Sequence, residues 1–146
     1  MSTLGVGVFG IGGKMGSEVR RAVMAAEDLE ITGGVDLGEP RERIGDAVVA
    51  VDFTHPDAVM DNIEWSVPRG INMVIGTTGF NEERLARVRE LCAANPGVGV
   101  LIASNFSIGA VLMMQFAAKA APFYPSAEIV ELHHPNKADA PSGTSA

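Results

Sequence analysis

The stretch GVFGIGGKMG sets glycines 10, 13 and 16 three residues apart, directly after the β-prone run VGVF and directly before a segment of helical period. Glycines so placed let the backbone turn sharply, bring main chain close to a ligand and seat a helix tightly on a sheet, because no Cβ intervenes. The feature demands a strand, a turn and a helix in succession. The same alternation continues downstream, with β-rich runs at VGVFG (6–10), EITGGVD (30–36), AVVAVDF (47–53), INMVIG (71–76) and VGVLIA (98–103). Helical segments separate most of them, which is the pattern of βαβ units.

The fold class this predicts is α/β, with a Rossmann-type, doubly wound, mostly parallel sheet. After the glycines, Met15, Val19, Ala22, Val23 and Ala26 share one helical face. Pro56 suits a first helical position, with Ile63 and Val67 turned inward and Pro68-Arg69-Gly70 as terminator. Asn81 is placed to cap a further helix that turns Leu85, Val88 and Cys92 inward and stops at Asn95-Pro96-Gly97. The ten residues 37–46 are short for a crossover helix and predict a loop with at most one helical turn, after a strand weakened by Gly33 and Gly34. The oiliest run, 107–121, carries Gln115 and Lys119 and falls short of the ~20 residues a bilayer needs, so it reads as a buried helix. A last candidate strand, AEIVELHH (127–134), leads into the closing sequence. A dinucleotide-binding domain over 1–128 is expected, followed over 129–146 by the opening of something else.

Composition narrows the function. The chain has 146 residues, 47% of them apolar, enough for the core of one ordinary domain. A formal charge of −7 repels phosphate backbones and anionic membranes, so neither nucleic acid nor a membrane is an expected partner. A lone Cys92 forms no internal disulfide, and MSTLGVGVFG lacks the basic and apolar regions of a secretory signal, so a cytoplasmic location is expected.

An acidic chain can still hold an anionic cofactor if a helix N-terminus offers N–H groups and a positive partial charge to a pyrophosphate. Asp36 stands twenty residues after Gly16, at the end of the second strand run, where a carboxylate accepts hydrogen bonds from ribose hydroxyls. The competing reading is a structural turn and a surface aspartate. An acid at 36, with Leu37 following, favours NADH over NADPH, since a 2′-phosphate would meet a carboxylate. Arg41 and Arg43 in the next loop are placed to soften that preference. GTTGF (76–80) and ASNFS (103–107) follow strands at their carboxyl ends, the ligand-binding edge of such sheets, although Asn81 and Ser107 read equally as helix caps. His55, in VDFTHP, reads as a loop residue rather than a catalyst.

The chain closes on ELHHPNKADAPSGTSA. Adjacent strand histidines face opposite sides unless the strand ends, as Pro135 favours. His134 and Lys137 can then converge on a carboxylate, while Ser142, Gly143 and Thr144 offer donors to a second, which suits a small dianion. A metal site would have to draw on two histidines and Asp139 beside a cation-repelling lysine, and a Ser/His nucleophile would need a partnered or strained serine. A polar loop with no chemistry is the plain alternative.

The run His-His-x-x-Lys-x-Asp-Ala-Pro-Ser-Gly-Thr, taken with GIGGKMG, DFTHP, GTTGF and ASNF in this order, resembles the dihydrodipicolinate reductase family, and the short segment between the second and third strands is most like its actinobacterial type. That resemblance implies reduction of the cyclic imine dicarboxylate 4-hydroxy-tetrahydrodipicolinate by NADH or NADPH, in lysine and diaminopimelate biosynthesis, with no metal. It implies cofactor contacts from Gly10, Ile11, Gly12, Gly13, Lys14, Met15, Asp36, Gly76, Thr77, Thr78, Ala103, Ser104, Asn105 and Phe106. It assigns His133 as proton donor or acceptor, Lys137 as proton donor, and His134, Gly143 and Thr144 to substrate binding. Residues 129–146 then correspond to the start of an α/β substrate and tetramerisation domain, and the full-length family member is expected to be a homotetramer. A chain holding only that start is expected to bind NADH better than it reduces anything. The rival readings are a catalytically silent dinucleotide-binding module and a related dehydrogenase of an open-chain amino or hydroxy acid.

Overall fold

The computed structural model describes residues 3–103, 105–130 and 132. Strands β1 (Leu4–Phe9), β2 (Leu29–Val35), β3 (Val49–Asp52), β4 (Asn72–Ile75) and β5 (Val100–Ile102) form one parallel sheet in the order β2-β1-β3-β4-β5. From β1 the chain passes to β2 on one side and then crosses back to β3 on the other, so the switch point, where ligands of doubly wound sheets bind, falls at the carboxyl ends of β1 and β3. The runs 47–53, 71–76 and 98–103 contain β3, β4 and β5, while β1 begins two residues before the run 6–10 and β2 one residue before the run 30–36. The chain divides into two compact units at Ala103/Ser104; the first holds the sheet with α1 (Lys14–Ala25), α2 (Pro56–Ser66) and α3 (Glu82–Ala94), and the second holds α4 (Ile108–Ala120).

Central β1 is buried along nearly its whole length, whereas β3 and β4 alternate, with Ala50, Asp52, Met73 and Ile75 buried. The core joins Phe9, Met73 and Ile75 of the sheet to Val59 and Ile63 of α2 and to Val88 and Leu91 of α3. Phe9 meets Trp65 edge to face at 6.5 Å. Pro56 opens α2 as expected, with Ile63 and Val67 fully buried, and Gly70 ends the following 3₁₀ turn in the left-handed region. Asn81 caps α3, its Oδ1 accepting from the Arg84 N–H at 2.9 Å. Val88 is buried there and Leu85 and Cys92 are half-buried, while Leu91 joins the core.

Residues 37–46 contain a single 3₁₀ turn, Arg41–Ile44, as their length predicts. Its seat is made of glycine. A Cβ at Gly7 would lie 2.0 Å from Ile44 Cγ1, and one at Gly33 would lie 2.0 Å from the Arg43 carbonyl oxygen. Gly33 thus lets the turn dock on β2 rather than merely weakening the strand.

Three expectations are corrected. On α1 the buried residues are Gly16 and Val23, while Met15 and Ala22 are exposed. The close approach of Gly16 to the glycine turn fixes which face looks inward, and that face excludes both. The 107–121 run is helical as predicted, but α4 has no buried residue: Met113 is 57% exposed and Phe116 62%. A helix apolar all round needs cover all round, and the described residues do not provide it. Residues 127–130 and 132 of the last candidate strand form no strand, and the second unit has no other strand among its described residues to take their backbone hydrogen bonds. No helix among the described residues is long and apolar enough to cross a membrane.

Candidate cofactor site

Gly10 leaves β1 at φ +78°, donating its N–H to the Val35 carbonyl at 2.7 Å and accepting from the Gly13 N–H at 3.1 Å. The turn is so tight that a Cβ at Gly16 would stand 1.9 Å from the Gly10 oxygen. Helix α1 then begins at Lys14, with extended Gly13 before it and no side chain capping its N-terminus. Uncapped first-turn N–H groups at this edge are suited to an anion. Ile11 reaches across to β2, where a Cβ on Gly34 would come within 2.3 Å of its Cδ1.

Asp36 follows β2 directly. Both its carboxylate oxygens accept from the Gly12 N–H, at 3.0 and 3.1 Å. A carboxylate has about four acceptor sites, so one shared N–H orients it and leaves capacity for two ribose hydroxyls. The Asp36 N–H donates to Glu39 Oε2 at 2.9 Å, and Glu39 also pairs with Arg43, so Arg43 is committed within its own loop. A cavity of about 500 Å³ opens beside Asp36, walled by Gly10, Gly13, Leu37, Arg41, Thr54, His55, Ala58 and Asn62.

A second cavity of about 320 Å³ lies among Lys14, Met15, Phe53, Thr54, Pro56, Gly76, Thr77 and Thr78. Its walls are clipped together: Arg84 Nη1 donates to the carbonyls of Pro56 at 2.8 Å and Gly79 at 3.0 Å. Gly76 makes room for the Phe53 ring, which a Cβ would meet at 2.0 Å.

Between the cavities sits a group the sequence reading passed over. Asp52 ends β3 fully buried, its Oδ1 accepting from the Thr54 N–H at 2.9 Å and from the hydroxyls of Thr54 and Thr77 at 2.7 Å each. Its Oδ2 accepts from Asn62 Nδ2 at 2.8 Å, and Asn62 Oδ1 accepts from Arg41 Nε at 2.9 Å. The Thr77 hydroxyl therefore holds the loop after β4 onto β3, and Thr78 is the hydroxyl residue left half-exposed on the cavity wall. The signal lay in AVVAVDF, where an acid shares the inward register of Ala50 in an otherwise apolar run.

Glycines 10, 12 and 13, Ile11, Lys14 and Met15 thus gather at the turn with Asp36, and Gly76–Thr78 line the second cavity with Lys14 and Met15. Ala103 donates its N–H to the Ile75 carbonyl at 3.0 Å. In the second unit Asn105 Oδ1 accepts from the Ser107 N–H at 2.7 Å, Phe106 is 50% exposed, and the Ser107 hydroxyl caps α4. His55 caps α2, its Nδ1 accepting from the Asp57 N–H at 3.3 Å, as a loop residue would. Ser104, His133, His134, Lys137, Ser142, Gly143 and Thr144 lie outside the described residues. No group of side chains fit to hold a metal occurs among the described residues.

Residues 4–106 match the family described as dihydrodipicolinate reductase, N-terminus, and residues 109–146 match its C-terminal counterpart. The chain belongs to the dihydrodipicolinate reductase family. It is 64% identical over 139 residues to the 4-hydroxy-tetrahydrodipicolinate reductase of Thermobifida fusca, a match that covers 95% of this chain and 56% of that one. The enzyme of the same description from Cutibacterium acnes is 59% identical over the same shares. Both are actinobacterial, as the short 37–46 segment implied. The chain spans about half the length of these curated relatives. Among solved structures, a dipicolinate-bound dihydrodipicolinate reductase from Paenisporosarcina sp. TG-14 is 34% identical, with a TM-score of 0.73 over 97% of this chain and 62% of that one. GenD2 of gentamicin A biosynthesis, solved with NAD, is 18% identical with a TM-score of 0.64 and shares the fold.

Proposed function

We propose that this chain is the NAD(P)H-binding part of a 4-hydroxy-tetrahydrodipicolinate reductase, acting on a small cyclic dicarboxylate in lysine and diaminopimelate biosynthesis. The observation that carries the reading is the Asp36 carboxylate pinned by the Gly12 amide at the mouth of a cavity that also holds the glycine turn. The dipicolinate found in the Paenisporosarcina relative supports the substrate class.

The first-turn amides of α1 and the Lys14 cation hold the pyrophosphate, and Asp36 accepts from the adenosine ribose, favouring NADH. Gly76–Thr78 and Ala103–Phe106 hold the nicotinamide end. When bound, the nicotinamide supplies the hydride that reduces a ring carbon conjugated with a C=N bond. His134, Gly143 and Thr144 fix the substrate carboxylates, and Lys137, with His133, delivers the proton as charge builds toward the ring nitrogen. We assign residues 1–128 to the dinucleotide domain and 129–146 to the start of the substrate domain. The full-length protein is cytoplasmic and a homotetramer in this reading.

Calorimetric titration with NADH and NADPH tests the core of it, and absence of heat with both nucleotides in folded protein would falsify the assignment. In a protein of the relatives' full length, Lys137→Ala should lower kcat; a change confined to KM would remove the proton role. The rival reading is a catalytically silent dinucleotide-binding module, a chain that binds NADH without turnover. Titration heat with no substrate-dependent NADH oxidation supports it.

A further inference from the structure

We infer that Arg41 grips the adenine ring of the dinucleotide, its flat face set by a relay that runs from buried Asp52 through Asn62. The inference rests on the dinucleotide reading and adds to it a contact residue and the two residues that position it.

Arg41 lines the larger cavity together with Asp36. Its Nε donates to Asn62 Oδ1 at 2.9 Å and its Nη2 lies 3.5 Å from Asp61 Oδ2. The Nε–H bond to Asn62 is donated in the plane of the guanidinium, so it orients that plane without occupying either face. A phosphate is the less suitable partner, because the carboxylates of Asp36 and Glu39 line the same cavity and Asp61 already adjoins the cation. An uncharged heteroaromatic ring meets no such repulsion and is attracted to a guanidinium face. Arg41 therefore serves NADH and NADPH alike and leaves the choice between them to Asp36.

The support behind Arg41 has one satisfied orientation. An arginine only donates and a carboxylate only accepts, so the Asn62 amide must turn its oxygen to Arg41 and its nitrogen to Asp52. Asn62 is 6% exposed and Asp52 fully buried, with the other Asp52 oxygen committed to Thr54 and Thr77. A clip between the 3₁₀ turn and α2 needs only the exposed pairing with Asp61. A buried, polarity-coded relay suits a side chain whose plane matters.

Titration of the whole chain with 5′-AMP, NADH and NADPH tests this. Arg41→Ala should weaken all three by a similar factor, about fivefold to thirtyfold, and Arg41→Lys should recover little, since an ammonium has no flat face. Asp52→Asn turns an amide nitrogen toward Asn62, forces that amide to flip and sets donor against donor at Arg41, so it should weaken 5′-AMP as well. The exchange Asp52→Asn with Asn62→Asp restores every pairing: the new amide keeps its oxygen for the threonines and donates to a carboxylate that accepts from Arg41. It should recover most of the lost affinity. Unchanged 5′-AMP binding by Arg41→Ala, a loss confined to NADPH, or a folded double variant as weak as Asp52→Asn would each overturn the proposal. If the Asp52 variants unfold, Arg41→Ala alone decides it. Failure of the unsubstituted chain to bind any of the three nucleotides would instead remove the dinucleotide reading.

Discussion

Gly12 and Gly16 stand four residues apart in the glycine turn, yet a methyl group at each meets a different kind of neighbour. At Gly16 a Cβ would lie 1.9 Å from the Gly10 oxygen and 2.8 Å from Ile11 Cα, backbone atoms that cannot swing aside. Gly16→Ala should cost at least about 1–3 kcal/mol in chemical denaturation, together with nucleotide binding. At Gly12 the nearest atom, 2.7 Å away, is Asp36 Oδ2, the end of a side chain that can rotate. Gly12→Ala should leave stability within about 0.5 kcal/mol while displacing Asp36 and weakening NADH. Asp36→Ala should likewise reduce NADH affinity and raise the NADPH-to-NADH affinity ratio, read by calorimetry; a clear NADPH preference in the unaltered chain would contradict the role given to Asp36. Spacing made the glycines and Asp36 legible, because turn, strand end and carboxylate keep fixed distances along the chain. Asp52 and Asn62 were not legible: their meaning lies in contacts between residues 10 to 25 positions apart, which no local period encodes.

At the scale of elements, the order of β-rich runs and the stop signals carried the most information. Five β-rich runs marked the places of five strands, and Pro56, Asn81 and Gly70 marked helix ends through fixed φ, capping oxygen and left-handed backbone respectively. The docking of the 3₁₀ turn Arg41–Ile44 on β1 and β2 was hidden, since a glycine in a strand looks like a defect until its neighbour is known. Ile44 is fully buried over the floor at Gly7, and the Thr32 hydroxyl donates to its carbonyl at 2.8 Å. Ile44→Ala should therefore cost about 2–5 kcal/mol in urea unfolding with an unchanged slope. Because the same turn carries Arg41, the variant should also weaken 5′-AMP at temperatures where it remains folded. A loss of stability below about 1 kcal/mol would show that the turn is only loosely seated.

For the whole molecule the balance is between charge and exposed apolar surface. The formal charge is −7, while α4 presents Ile108 at 78%, Phe116 at 62% and Met113 at 57% exposure. Apolar surface of that kind on one helix favours association, and like charge opposes it over a screening length of about 10 Å at 0.1 M salt. Raising ionic strength shortens that length to about 3 Å at 1 M and leaves the apolar attraction in place. Light scattering of the chain should therefore rise with salt. Phe116→Glu combined with Met113→Glu should suppress the rise, both by removing apolar area and by adding charge, without changing 5′-AMP affinity, since Arg41 and Asp36 lie in the other compact unit. Scattering that stays the same in the double variant would clear α4 of responsibility and direct attention to Leu37, which is fully exposed at the rim of the nucleotide cavity. In that case saturating NADH, by covering Leu37, should lower the scattering where the glutamates on α4 did not.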